Sequence, residues 1–246
     1  MRFDIQRYES VTSTMDLAVE VAEAGAPEGA VIVADAQTAG RGRRGRLWSS
    51  PRGAGLYVSV VLRPALDATS GIVLSLLTLG AGVAVRDAIA SATGVAAHLK
   101  WPNDIVIGRR KLAGILAEGI AIGTPAQAVI LGIGINIAPS SHPEEVALRA
   151  TTLEDERGSA VDRARLLDEI LATLADVCHR LHRGETDDIL RAWREAAPSA
   201  EDAEVEWDAG NGVRRGTTAG IDAAGALLIR TPAGMERVIS GELRWL

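Results

Sequence analysis

Apolar and polar positions along this chain follow three different rhythms. Leu17, Val21 and Ala24 come after Ser13-Thr14-Met15-Asp16 at helical spacing, which predicts a helix that Ser13 caps and Gly25 ends. Residues 30–34 are wholly apolar and predict a short buried strand; residues 56–63 (LYVSVVLR) predict a second, rich in β-branched side chains and closed by Pro64. Residues 72–92 predict a buried helix. Three strands follow at 97–101, 104–107 and 112–122, with Gly108-Arg109-Arg110 turning between the second and third, and then a strand at 126–137 interrupted by Gly132 and Gly134. The polar, Pro-bearing stretch 138–153 reads as a loop, and 161–183 and 187–197 as amphipathic helices. Beyond Pro198 the rhythm shortens to alternating runs at 203–207, 213–221, 226–230 and 235–239, separated by the turns Gly210-Asn211-Gly212 and Ala223-Ala224-Gly225. The expected architecture is α+β: a mixed-sheet domain over 1–197, then a small SH3-like β-barrel over 198–246.

Composition narrows the function classes. A chain of 246 residues, 47% hydrophobic and 24% charged, can bury a large core. Its formal charge of -6 argues against a general polyanion binder, since phosphate neutralisation needs surplus cations. The single cysteine, Cys178, rules out an internal disulfide and any Cys-rich zinc framework. Cys178-His179 and His182 share a helix, but with so few other ligands the reading is structural. The start, MRFDIQRYES, lacks the apolar region of a secretory signal, and residues 71–85 read as too short and too broken by Gly and Ser to span a bilayer. A cytoplasmic protein with no membrane partner is expected.

Three segments carry candidate chemistry. Gly40-Arg41-Gly42-Arg43-Arg44-Gly45-Arg46-Leu47-Trp48 lies in a stretch, 36–66, with no acidic residue. Its glycines let the backbone approach an anion, its arginines supply forked donors, and Trp48 can stack on a planar ring. Taken alone the loop fits an enclosed anionic small molecule, a nucleic acid, or plain solvated surface. Lys100-Trp101-Pro102-Asn103-Asp104 joins two predicted strands, and eleven residues on stands Lys111-Leu112-Ala113-Gly114-Ile115-Leu116. Lys100 and Lys111 are the only lysines among 26 basic residues, so a compact ammonium rather than a guanidinium fork is wanted there. Such a lysine can neutralise a carboxylate and an adjoining phosphate together. In Gly132-Ile133-Gly134-Ile135-Asn136-Ile137 the glycines imply a close approach, and Asn136 can read an adenine or ribose edge as donor and acceptor.

Together QTAGRGRRGRLW (37–48), KWPNDIVIGRRKLAGIL (100–116), GIGINI (132–137), the upstream Ser13-Thr14, ILRAWREA (189–196) and the terminal β module resemble the biotin–protein ligases over nearly the whole chain. The resemblance implies a catalytic domain of the biotin/lipoate ligase type. It implies that biotin and Mg-ATP give biotinyl-5′-adenylate, which acylates one lysine of a biotin carboxyl carrier domain. Biotin would be held by Ser13, Thr14, Met15, Gln37, Gly40, Arg41 (through its backbone), Gly42, Gly114 and Leu116. Arg43 and Lys111 would meet its carboxylate as the catalytic cations. Arg46 would bind the triphosphate, Trp48 close over the adenylate, Asn136 hold adenine, and Asn103 and Asp104 bind phosphate or Mg²⁺, with Asp104 the metal candidate. Met15 departs from the polar residue common after Ser-Thr, which implies a packing role. The catalytic match begins almost at Met1, so the expectation is a ligase that does not bind DNA. The rival readings are a lipoate-type ligase and a nucleic-acid module using the loop from Arg41 to Arg46.

Overall fold

Every residue of Ala30–Ala34 and Gly55–Leu62 is buried, which requires strands covered on both faces. The computed structural model describes residues 1–64, 70–124, 126–209 and 212–246. In chain order its elements are β1 (Asp4–Tyr8), α1 (Thr14–Glu23), β2 (Ala30–Ala34), β3 (Gly55–Leu62), α2 (Ser70–Thr93), β4 (His98–Lys100), β5 (Asp104–Ile107), β6 (Arg110–Ile120), β7 (Ala128–Asn136), α3 (Leu153–Arg157), α4 (Arg163–His182), α5 (Thr186–Ala196), β8 (Glu201–Asp208), β9 (Val213–Ile221), β10 (Leu227–Thr231), β11 (Gly234–Val238) and β12 (Leu243–Trp245).

The larger sheet has the order β1-β2-β3-β7-β6-β5-β4. β1 and β2 are parallel and every other neighbouring pair is antiparallel. Strand alternation divides its side chains between two cores. Val31, Val33, Val58, Val60, Leu131 and Ile133 join the core under α2, α4 and α5, whereas Ala30, Ile32, Val61, Ala128 and Ile130 pack beneath Met15, Ala18 and Ala22 of α1. The two-residue period carries Gly132, Gly134 and Asn136 onto the α1 face, where Met15 at the start of the helix reaches Gly132 while Gly134 and Asn136 lie beyond it. That uncovered part of the sheet is where the site lies.

The smaller sheet, β11-β10-β9-β8-β12, is antiparallel throughout and forms the SH3-like module. It shares its core with the larger unit, since Val205, Trp207, Leu227 and Ile229 belong to the same cluster as the helical layer. Trp101 Nε1 donates to the Gly225 carbonyl at 3.0 Å and Arg194 to the Ile221 carbonyl at 3.1 Å, fixing the junction.

Three elements lie outside the pattern read from sequence: β1, α3 and β12. Part of the turn predicted at 210–212 lies outside the described residues. The helix predicted at 72–92 runs from Ser70 to Thr93, and its Val73–Thr93 portion is long and apolar enough, by length and composition, to cross a membrane. The shorter window 71–85 missed this. In the fold that surface is used for packing: Leu76, Leu77, Leu79, Val85 and Ile89 are buried.

Candidate active site

Register across the sheet builds the floor of the site. Lys100 pairs with Asp104, Asp104 with Gly114, and Gly114 with Gly134. Directly opposed residues share a face, so one row runs from charged side chains into two glycines. In the next row Leu116 pairs with Gly132, and Gly132 with Ser59. A cavity of about 980 Å³ lies over these rows, walled by the 37–50 loop, by the 141–150 segment and by residues 241–245 of the smaller sheet. Of the residues assigned from sequence, Thr14, Met15, Gln37, Gly40, Arg41, Gly42, Arg43, Arg46, Trp48, Asn103, Asp104, Lys111, Gly114, Leu116 and Asn136 all line it. Ser13 does not: its hydroxyl caps α1 by accepting from Met15 N at 3.2 Å.

One end of the cavity is polar and uncharged. Gln37 Oε1 accepts from the Thr14 amide at 2.8 Å and from Thr14 Oγ1 at 3.1 Å, while the buried Ser59 Oγ donates to Thr14 Oγ1 at 2.9 Å. Gln37 Nε2 donates to Ser50 Oγ at 2.7 Å, and Ser50 Oγ donates on to the Trp48 carbonyl at 3.1 Å. This relay fixes the orientation of the Gln37 amide. Ser50 had no signal in the sequence beyond its nearness to Trp48.

The arginine loop closes over the cavity through its own backbone. Trp48 N donates to the Gly40 carbonyl and Gly42 N to the Arg46 carbonyl, both at 2.8 Å. A Cβ on Gly40 would stand 2.5 Å from the Trp48 carbonyl, so only glycine fits. Arg44 (φ 57) and Gly45 (φ 73) make the tip left-handed. Three of the four loop arginines are already paired. Arg41 reaches Asp16 at 2.8 Å and Glu118 at 2.7 Å, Arg46 pairs with Glu242 next to β12, and Arg44 stands 3.9 Å from Asp208. Arg43 forms no ion pair among the described residues; its NH1 donates to Asn103 Oδ1 at 3.2 Å, and burial lowers its pKa against the opposing pull of Asp104.

The other end is cationic. Lys111 Nζ lies 2.6 Å from Asp104 Oδ1 and 5.3 Å from the Trp48 ring centre. Asn103 is a bracket: Nδ2 donates to the Ile115 carbonyl at 2.7 Å, and the Ile115 amide donates to the Asn103 carbonyl at 2.9 Å. The start of β6 is held from the other side, where Lys111 N donates to the Arg149 carbonyl and Thr151 N to the Lys111 carbonyl. Asn136 Nδ2 donates to the Thr151 carbonyl at 3.2 Å and the Lys111 carbonyl at 3.4 Å. Both its N–H groups are therefore occupied, and the expectation that Asn136 reads a base as donor and acceptor narrows to acceptor alone. The Trp48 indole lies against Gly114 and Gly134, where a Cβ would come within 3.1 Å and 2.6 Å of it, and its buried Nε1 has no partner among the described residues.

Among the described residues no group of three or more His, Cys, Asp or Glu is disposed to hold a metal. Asp104, the metal candidate, is engaged by Lys111. Cys178 is buried in the helical core, and burial pushes its thiol up to about 12. Lys100, Glu242 and Trp245 also line the cavity; Glu242 and Trp245 were missed because they arrive from the smaller sheet.

Residues 8–136 match the biotin/lipoate A/B protein ligase family, and residues 204–243 the biotin protein ligase C-terminal domain. The bifunctional ligase/repressor BirA of Bacillus subtilis is 36% identical over 238 residues, covering 96% of this chain and 72% of its own. The biotin–[acetyl-CoA-carboxylase] ligase of Paracoccus denitrificans is 36% identical over 217 residues, 86% of this chain and 88% of its own. The structure of the Aquifex aeolicus biotin protein ligase in complex with biotin and ATP superposes with a TM-score of 0.84 at 30% identity, covering 99% of this chain and 98% of that one. With both its sheets matched, and with the loop, the paired lysine and the glycine floor assembled around one cavity, the chain belongs to the biotin/lipoate A/B protein ligase family, on its biotin protein ligase branch.

Proposed function

We propose that this cavity joins biotin to ATP and delivers the product to a lysine of a biotin carboxyl carrier domain, with 1–197 as the catalytic unit and 198–246 as the β module. The observation that carries the reading is the polarity of the trough: an uncharged hydrogen-bonding end at Thr14, Gln37 and Ser50, a glycine floor, and a cationic end at Arg43 and Lys111. Biotin has that polarity, with a neutral ureido head and a carboxylate tail. Met15, Leu116 and Gly114 wall its path, and the loop backbone at Gly40, Arg41 and Gly42 closes over it.

A carboxylate oxygen of biotin attacks the α-phosphorus of ATP, the bond to the bridging oxygen breaks, and diphosphate departs. Two anions must meet, so the residues act by position and by screening charge. Lys111 and Arg43 hold the carboxylate and the α-phosphate together, Arg46 receives the distal phosphates after exchanging Glu242 for them, Asn136 accepts from the base, and magnesium enters with the phosphates. In the second half a deprotonated lysine amine attacks the acyl carbon and AMP leaves. Trp48 over Gly114 and Gly134 keeps water from the mixed anhydride.

Pairing of three loop arginines with carboxylates favours this over nucleic-acid binding, and no role for DNA is assigned. The cytoplasm, where ATP and carboxylases meet, is the compartment the reaction implies. The test is ATP-dependent diphosphate release with intact-mass detection of a bound biotinyl-adenylate. Release that needs biotin supports the reading, and release supported by lipoate instead would replace it with a lipoate-type ligase.

A further inference from the structure

Lys100 is the chain's other lysine and has no place in the chemistry above. It sits at the far end of the floor row, one strand beyond Asp104, and borders the cavity. Its ammonium stands 4.2 Å from the ring centre of Trp245 in β12. The Arg109 guanidinium faces the same ring at 5.9 Å and donates to the Leu246 carbonyl at 3.1 Å, bracing the strand that carries the ring. Among the described residues Lys100 forms no ion pair, because Lys111 holds Asp104 and Arg46 holds Glu242. Burial lowers the Lys100 pKa, Lys111 adds to the effect, and Asp104 and Glu242 only oppose it. A half-buried ammonium on an indole face, facing a cavity and in no ion pair among the described residues, is built to receive an anion.

The anion follows from position. The row from Gly134 to Gly114, Asp104 and Lys100 leads from the trough, past Lys111, outward. If the biotin carboxylate meets the α-phosphate at Lys111, the next group along the row is what the α-phosphorus expels. Resting on the adenylation reading, we infer that Lys100, seated on Trp245, binds the departing diphosphate, so that the smaller sheet supplies part of the adenylation site rather than only shielding it. A cation there stabilises charge that grows on the leaving group as the bond to the α-phosphorus breaks.

The test uses the full-length protein with magnesium and inorganic pyrophosphate as the probe, both by titration calorimetry and as a product inhibitor of adenylation. Lys100→Ala is expected to weaken pyrophosphate about tenfold or more, equivalent to about 1.4 kcal/mol, and to raise KM for ATP. Biotin affinity and transfer from preformed biotinyl-adenylate, which contains no diphosphate, should stay within about twofold. Trp245→Leu should reproduce the pattern by removing the seat while keeping the ammonium, and Lys100→Arg should recover part of the pyrophosphate affinity. Folded Lys100→Ala that binds pyrophosphate as the wild type does, or that loses adenylation and transfer equally, overturns the inference; should Trp245→Leu not fold, Lys100→Ala still decides. A wild type that binds pyrophosphate through Lys100 yet makes no adenylate from biotin would sink the proposed reaction and leave the anion subsite standing.

Discussion

Lys111→Gln removes one positive charge while keeping a side chain of similar reach. Two contributions are at stake, and the structure separates them by size. The pair with Asp104 is short, 2.6 Å, but the two side chains are 36% and 23% exposed. Water therefore screens it, and its contribution to folding is about 1 kcal/mol or less. At about 2–4 °C per kcal/mol for a chain of this size, the melting temperature should move by no more than a few degrees. The catalytic contribution belongs to another class. A preorganised donor aimed at charge that develops in the transition state is worth about 2.7–4 kcal/mol, or about 10²–10³ in rate. Biotin- and ATP-dependent diphosphate release should accordingly fall at least a hundredfold while thermal unfolding hardly changes. Stopped-flow phosphate detection and calorimetry on one preparation would measure both. A folded variant that retains more than about a fifth of the wild-type rate, equivalent to about 1 kcal/mol, would show that Lys111 is only a surface partner of Asp104.

Gly134→Ala places a Cβ 2.6 Å from the Trp48 ring on a strand pinned from both sides, so the indole must leave the floor. The expected result is a bound adenylate that hydrolyses or dissociates about tenfold faster, a loss of about 1.4 kcal/mol, and an unchanged lifetime would contradict the lid. Gln37→Leu strips the acceptor from the Thr14 amide and hydroxyl and the donor from Ser50. Biotin affinity measured by calorimetry should drop by about 1–3 kcal/mol, and no change would move the ureido end elsewhere. The hydrogen bond from Arg46 holds the Glu242 carboxylate below its ordinary value of 4.5; a depressed carboxylate stabilises the fold above its unfolded pKa, and that contribution is lost as pH falls through the folded one. The clasp between the loop and the smaller sheet should thus persist at pH 5 and open only in stronger acid, and an NMR midpoint for Glu242 at or above 4.5 would count against it.

How much of this was legible in sequence depends on how local the cause is. α4 was plain, because Leu166, Leu167, Ile170, Leu171, Leu174 and Val177 repeat at helical spacing and all are buried. β2 and β3 were plain because strands buried on both faces are almost wholly apolar, and the polar Ser59 of β3 turns its hydroxyl to a partner, Thr14, across the sheet face. β1 (DIQRY) is an edge strand, half exposed, whose pairing with β2 is parallel and therefore distant in cause. α3 is five residues fixed by the Thr152 cap and the left-handed Gly158, and no periodicity can show in so short a run. The site divided the same way. Gly132 and Gly134 announced a close approach, but only register shows that Met15 and Trp48 make it. Ser13 and Thr14 are equivalent as letters; the turn into α1 sends one hydroxyl to the helix cap and the other to Gln37.

The charge pattern becomes intelligible only when partner and position are read together. A chain of net charge -6 concentrates cations around one cavity, and repulsion alone would open such a cluster. The arginines at the rim answer that repulsion with their forks. Arg41 holds Asp16 and Glu118 at once, tying the loop to α1 and β6. A planar guanidinium suits those fixed, multidentate contacts. Along the floor row the requirement is reversed: the cation must release one oxygen and take another as substrates arrive and leave. A compact ammonium exchanges partners without reorienting a plane. That accounts for two lysines, at 100 and 111, in a chain that otherwise uses arginine. It also implies that Lys111→Arg, although it conserves charge, would strengthen the hold on Asp104 and slow the step that needs that hold broken.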